Sequence, residues 1–347
     1  MDIFSVISLL GGVALFLFGM NYMGDSLKKL SGSKLESILA RLTQSRFRGF
    51  ALGLGVTALI QSSSAVMVML VGFVNSEIMQ LPQTTSVLMG ANIGTTVTAW
   101  LLSTSGISGE GFLVKLFKPS TFTPVFAVVG ILMTMICKRE KTKNIGSILL
   151  GFAILMFGME TMSGATSGLR DNESFKELLV RFSNPIMGIL VGTVFTAIIQ
   201  SSSASVGILQ ALSISGAIPM STALPIILGM NIGAAVPPIL SSLSGNIKAK
   251  RVAALSVYIK IIGVVIVCAI FYILHGVLDF SFMHDNCSVF TIAMVHTLYN
   301  IFATVVLMPF CKALEKLATV TLKGKKYDVD PFANLDERFL AFPGFAV

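Results

Sequence analysis

The chain has 347 residues and a formal net charge of +8; 54% of its residues are hydrophobic, only 12% are charged, and the mean hydropathy is +0.84. A soluble domain carries about 25% charged residues, so a soluble enzyme is excluded and the chain is an integral membrane protein. Its apolar runs are continuous rather than alternating, which excludes an outer-membrane barrel.

The elements follow in chain order. The start, MDIFSVISLLGG, lacks a basic leader and belongs to a retained first span at 4–24. Residues 25–49 carry six basic and two acidic residues, a cytoplasmic signature. The stretch 50–76 is apolar but broken at Gln61-Ser62-Ser63-Ser64. Each arm has about 11 residues, or about 17 Å of helix, half a bilayer, so this is a re-entrant hairpin with a polar tip. Residues 82–105 form a span broken at Asn92-Ile93-Gly94, and 121–137 form another, ending at Lys138, Arg139, Lys141 and Lys143.

A span at 146–163 follows, then a loop at 164–184 with three basic and three acidic residues. A second hairpin spans 185–217 with Gln200-Ser201-Ser202-Ser203 at its tip, and a second broken span covers 221–244. Spans at 252–274 and 289–310 complete the set. Seven crossings and two hairpins place the N-terminus outside and the C-terminus inside. Of 25 basic residues, 18 fall in clusters at 28–48, 138–143, 248–251 and 312–326, and this arrangement puts all four clusters inside. The charge is therefore an orientation signal, not a nucleic-acid surface. Cys137, Cys268, Cys287 and Cys311 show no paired spacing and are read as small core residues.

The halves are copies. GVALFLFGMNYM at 12–23 matches GFAILMFGMETM at 151–162 at 6 of 12 positions. GLGVTALIQSSSA at 53–65 matches GTVFTAIIQSSSA at 192–204 at 9 of 13, and LMGANIG at 88–94 matches ILGMNIG at 227–233 at 4 of 7. All three pairs share an offset of 139 residues. The loop after the first span is basic and its counterpart is not, so the copies insert with opposite orientation. The expected fold is an all-α membrane protein of two inverted-topology repeats, each with a re-entrant hairpin and a discontinuous helix, the architecture of secondary transporters. The boundaries are 1–137 for the first repeat, 138–145 for a cytoplasmic linker, 146–311 for the second repeat with an additional span, and 312–347 for a cytoplasmic tail. The four breaks should converge on one central site.

Each tip presents an amide and three hydroxyls. The arm after it begins with free N–H groups at the positive end of its dipole, which suits an oxyanion. The arm before it ends in free carbonyls, which with Gln and Ser oxygens suit a hard monovalent cation. The oxyanion candidates are Ser62, Ser63, Ser64, Ser201, Ser202 and Ser203; the cation candidates begin with Gln61, Gln200, Asn92 and Asn231. Gly94 and Gly233 permit a sharp turn or a close approach. No carboxylate lies mid-span, and Glu160, toward the outer end of its span, is the nearest. A proton-coupled carrier usually needs such a group, so neutral oxygens point to sodium. Lys260 is the one basic residue inside a span; it snorkels, faces a cavity or touches the anion. His296 and Asn300 share a helix face, as an interhelical hydrogen-bonding pair or as substrate contacts.

With these motifs in hand, the sequence resembles the type II sodium–phosphate cotransporter family over about residues 5–320. Gln61-Ser62-Ser63-Ser64 and Gln200-Ser201-Ser202-Ser203 match its duplicated motif, and Gly90-Ala91-Asn92-Ile93-Gly94-Thr95-Thr96-Val97-Thr98 matches its GANIGTTVT segment. The resemblance implies sodium-driven uptake of inorganic phosphate, with phosphate between the tips and sodium beside them. It adds Thr95, Thr96 and Thr98 to the sodium candidates and Thr57 and Thr196 as accessory positions. The second copy departs from the pattern at Ala234, Ala235 and Pro237, which lack hydroxyls. Val257 and Ile261 stand where a family HxxFN pattern would place His and Asn, whereas the last span keeps it as His296-Thr297-Leu298-Tyr299-Asn300. Asp330-Pro331-Phe332 resembles the linker to a cytoplasmic PhoU-like domain. The implied partners are phosphate, the lipid bilayer of the plasma membrane, that domain and a second copy in a homodimer, with sodium and no organic cofactor, transition metal or nucleic acid. Transport of another tetrahedral oxyanion, a non-transporting phosphate sensor and an intramembrane serine hydrolase are the competing readings. The last is weak, because no His, Lys or Asp lies in either hairpin's arms.

Overall fold

The computed structural model describes residues 3–31, 45–106, 119–167, 177, 181–216 and 218–323. Among them the regular structure is helical, apart from one isolated bridge between Pro219 and Asn286. The helices are α1 (Ile3–Ser31), α2 (Arg46–Ile60), α3 (Ser63–Asn75), α4 (Leu81–Gly94), α5 (Thr96–Ser103), α6 (Pro119–Ile136) and α7 (Glu140–Thr166). They continue as α8 (Pro185–Ile199), α9 (Ser202–Ser213), α10 (Met220–Gly233), α11 (Val236–Ser242), α12 (Ile247–Leu278), α13 (Val289–Leu307) and α14 (Cys311–Thr321).

Five stretches are long and apolar enough to cross a membrane: Ile3–Leu30, Glu140–Thr166, Met220–Ser242, Ile247–Leu278 and Val289–Thr321. The bent pair α8 and α9, turned by 120° at its break, makes up to six. The chain is a multi-pass membrane protein. Of the seven expected crossings, 82–105 is split into helices of 14 and 8 residues at Thr95, and the apolar part of α6 is only Thr121–Ile136. Residues 140–145 form the start of α7, and 311–321 form α14, because charged residues of good helix propensity simply extend the apolar helices.

Glycines set the closest helix contacts, as expected where small residues let backbones approach in lipid. α1 runs antiparallel along α7, with Gly12 against Gly158 and Gly19 against Gly151. α2 packs on α4, where Gly53 meets the Val87 carbonyl and Gly90 meets the Phe50 carbonyl. At the 139-residue offset the same contacts recur between α8 and α10: Gly192 meets the Ile226 carbonyl and Gly229 that of Ile189.

Two rims bound the helices. At one, Asn246 is bonded to Asn75, Lys248 pairs with Glu77 at 2.6 Å, and Arg251 donates to the Leu322 carbonyl. Lys248 beside Glu77 holds that carboxyl below the usual carboxylate range. At the other rim, Cys287 donates to the Ile218 carbonyl and Met220 to that of Asp285. The C-terminal end of α3 therefore meets the first rim at Asn75, and α9 ends near the second, where Ile218 and Met220 are bonded. Between the rims lie four apolar clusters among the described residues. One joins α3, α4, α12 and α14 (Met67, Leu70, Met89, Leu255, Leu314), and another joins α1, α7 and α9 (Phe16, Leu155, Met159, Ile208).

Candidate functional site at the hairpin tips

The two tips have the same backbone. α2 ends at Gln61 with φ 60° and ψ 24°, and α8 ends at Gln200 with φ 60° and ψ 18°. A left-handed conformation at a non-glycine residue carries strain that the surrounding structure must hold. Here the Gln N–H groups bond back to the Thr57 and Thr196 carbonyls at 2.8 and 2.7 Å. Extended Ser62 and Ser201 then start α3 and α9. Their hydroxyls accept from the Ala65 and Ala204 N–H groups at 3.2 and 3.3 Å, the usual role of a serine N-cap.

The tips touch. Ser64 Oγ donates to the Gln200 carbonyl at 3.2 Å, and Ser63 Oγ donates to Thr95 Oγ1 at 3.4 Å. Thr95 Oγ1 and Ser203 Oγ share a bond of 3.0 Å. Thr95 is the joint between α4 and α5, so the first break and both tips meet at one hydroxyl. Ser63, Thr95, Ser202 and Ser203 are buried. Gln61 is buried and its amide donates to the Ala58 carbonyl, whereas Gln200 is exposed.

The breaks are gentler than the sequence suggests. Thr95, Ala234 and Ala235 all keep right-handed helical angles. Gly94 and Gly233 serve close approach instead of a sharp turn: they sit against Thr57 and the Leu54 carbonyl, and against Thr196 and the Thr193 carbonyl. Neither Asn caps its break. Asn231 donates back to the Ile227 carbonyl at 2.9 Å, and Asn92 makes no hydrogen bond among the described residues. The second break has no described bond to the tips, so three of the four expected features converge by hydrogen bonding.

Several neutral oxygens near the tips are buried without partners: Thr57 Oγ1, Thr196 Oγ1, Gln61 Oε1 and Thr98 Oγ1. Thr57 and Thr196 occupy equivalent positions in the two copies, one turn before each Gln. Unpaired buried hydroxyls are costly unless a ligand satisfies them, and neutral oxygens are the donor set a monovalent cation takes. Thr96 Oγ1 is bonded within its own helix to the Ile93 carbonyl at 2.8 Å.

Lys260 and His296 are buried, and both ring nitrogens of His296 lack partners. Asn300 donates to the His296 carbonyl at 2.7 Å, so the two side chains are not bonded to each other. Glu160 lies on the exposed face of α7, with no described bond to the tips. Sequence reading missed Gln210. It is fully buried and donates to the carbonyls of Ala99 and Val289 at 3.0 and 2.9 Å, tying α9 to α5 and α13. A lone Gln in the apolar arm after a tip was the available signal. Two cavities lie away from the tips: one of about 660 Å³ around Phe271 and Met294, and one of about 540 Å³ between Glu77 and Lys316.

A polar seam buried between two helix-breaking tips within a bundle of apolar helices is the arrangement of a membrane carrier. The Na+/Pi-cotransporter family model matches residues 15–164 and 167–284, and the chain belongs to that family. It is 23% identical over 323 residues to the "Putative inorganic phosphate export protein YjbB" of Escherichia coli K12, covering 92% of this chain and 56% of that protein. It is 26% identical to "Uncharacterized protein YqeW" of Bacillus subtilis, covering 92% and 99%. It is 37% identical over 93 residues to the "Sodium-dependent phosphate transport protein 2A" of Rattus norvegicus, covering 26% and 14%. The chain spans about half the length of the YjbB relatives it matches. No solved structure matches.

Proposed function

We propose that the chain is a secondary active transporter that symports inorganic phosphate with sodium by alternating access. The observation that carries this reading is the meeting of both tips at Thr95. Phosphate is gripped from two sides by the Ser62–Ser64 and Ser201–Ser203 hydroxyls and by free N–H groups at the starts of α3 and α9. Sodium takes oxygens of Gln61, Gln200, Asn92, Asn231, Thr95, Thr96 and Thr98. The unpartnered Thr57 and Thr196 hydroxyls supply two further ligands. The Ser64–Gln200 bond closes the seam, so ions enter when the tips part.

The architecture we infer is a pair of inverted repeats with re-entrant hairpins, bounded at 1–137 and 146–311. Support comes from the equivalent helices α1 and α7, which pack antiparallel through exchanged glycine pairs, and from α3 and α9, which end toward opposite rims. The rim holding Lys248, Arg251 and Lys312 is then cytoplasmic and the N-terminus lies outside. The membrane is the plasma membrane, and residues 312–347 lead toward a cytoplasmic domain.

A symporter has no built-in direction: net flux follows the summed gradients. An inward sodium gradient drives uptake, which is our reading; the name of the Escherichia coli relative says export of that protein. Purified protein in proteoliposomes tests the proposal. Labelled phosphate should accumulate only under an inward sodium gradient, and equal uptake in potassium would refute it. Arsenate and sulfate as competitors separate the other oxyanion readings, and absence of any flux favours a sensor.

A further inference from the structure

Lys260 sits near the middle of α12, 13 residues from Ile247 and 18 from Leu278. Those are about 20 and 27 Å of helix, far beyond the reach of a four-carbon stem to either rim. It is 5% exposed, so it does not snorkel. Among the described residues its ammonium has no hydrogen bond and no ion pair; the ion pairs described are Lys28–Asp25, Lys143–Glu140 and Lys248–Glu77.

Its depth is fixed by its neighbour α3. Asn246, at the start of α12, is bonded to Asn75 at the end of α3, and Ser256 donates to Met67 Sδ at 3.6 Å. The helices are therefore antiparallel, and the next turn of each brings Lys260 level with Ser63 at the first tip. One turn further, Gly263 packs against Ala303 and Tyr299 of α13. His296 lies on the same helix, three residues before Tyr299. The elements packed on α12 here thus bring a helix start with positive dipole and an imidazole without partners. None offers a negative charge, and a buried unpaired ammonium is strongly unfavourable.

We propose that Lys260 is the fixed positive charge of the anion site, its ammonium facing the oxyanion held at the first tip. This rests on the reading of the tips as a phosphate site. The protein then supplies one positive charge toward phosphate, and sodium has to supply correspondingly less. The unliganded protein carries the cost of the lone ammonium, and phosphate relieves it.

The test uses purified full-length protein in sodium, titrated with inorganic phosphate and melted with and without it. Without phosphate, Lys260→Met should melt at or above the wild type. It should lose at least about tenfold in phosphate affinity and most of the phosphate-induced rise in melting temperature. Lys260→Arg, which keeps the charge, should retain most of both. Lys260→Gln replaces the Met variant if that does not fold, and must show the same loss. Wild-type binding with an equal affinity in Lys260→Met overturns the proposal alone. Absence of phosphate binding in the wild type overturns the tip reading and this proposal together.

Discussion

Ser64 of the first tip donates to the main-chain carbonyl of Gln200 in the second, across 136 positions of sequence. The reciprocal contact is not among the described bonds: Ser203 meets Thr95 instead of the Gln61 carbonyl. The halves share a backbone but differ in how their tips are satisfied. The cause is in the sequence, since the counterpart of Thr95 is Ala234, which has no hydroxyl. Thr95 is the side chain that joins the two tips here.

That role separates Thr95 from its neighbour. Thr95→Val removes the hydroxyl that joins Ser63 and Ser203, leaving two buried hydroxyls to find other partners. The expected loss is about 1–3 kcal/mol of stability, with a weaker phosphate affinity. Thr96→Val breaks, among the described bonds, only one within its own helix and should cost less stability. Parallel melting curves and phosphate titrations of the two variants decide it; equal effects would remove Thr95 from the joint.

Close packing at the glycines gives a second, function-independent prediction. A Cβ at Gly53 or Gly192 collides with the Val87 or Ile226 carbonyl, whereas one at Gly55 meets nothing within 4 Å. Gly53→Ala and Gly192→Ala should each destabilise by about 1–3 kcal/mol through overpacking. Gly55→Ala should be neutral or slightly stabilising. Thermal unfolding in detergent is the measurement, and a tolerated Gly192→Ala would contradict the α8–α10 contact.

Much of this was legible in the sequence and some was not. The 139-residue repeat announced the tips, because a Gln-Ser-Ser-Ser run inside an apolar stretch has few uses there. It also announced the paired glycine contacts, since both copies keep Gly90 and Gly94 with their counterparts Gly229 and Gly233. Convergence on Thr95 was not legible, because contacts between the first joint and the second tip depend on tertiary packing. Of the two uses left open for Gly94 and Gly233, a sharp turn or a close approach, the structure shows the second, because the missing side chain serves the neighbouring helix. Gln210 was overlooked because its partners are backbone carbonyls of two other helices, which leave no motif.

Topology is tested by labelling. In a background where Cys137, Cys268, Cys287 and Cys311 are replaced by Ala, single cysteines at Ser45 and Ser183 should react with impermeant reagents from opposite faces. Reaction of both from one face would rule out inverted repeats.

The first rim gives a pH prediction. Lys248 lowers the Glu77 carboxyl, first by hydrogen bonding and then by its charge. A carboxyl depressed in the folded state adds stability above its unfolded value near 4.3, and this is lost as pH falls through the folded value. Glu77→Gln should therefore melt slightly below the wild type at neutral pH, and the gap should close in acid. Because both partners are exposed, the gap should be small and should shrink in high salt. A gap that widens in acid would reverse the sign of this account.

The central claim is that sodium and phosphate share one site. Phosphate carries one to two negative charges, and two helix N-termini supply only about half a charge each. Hydroxyls give geometry, and positive ions must complete the charge. Binding is then reciprocal: sodium tightens phosphate, and phosphate tightens sodium by the same factor. Ser63→Ala and Ser202→Ala should each weaken phosphate by about tenfold to a hundredfold, the cost of a lost bond to a charged group. The most direct measurement is calorimetric titration of the purified protein with phosphate across a sodium series, with potassium as control. The account predicts that affinity rises with sodium and not with potassium; the same affinity in both would contradict it.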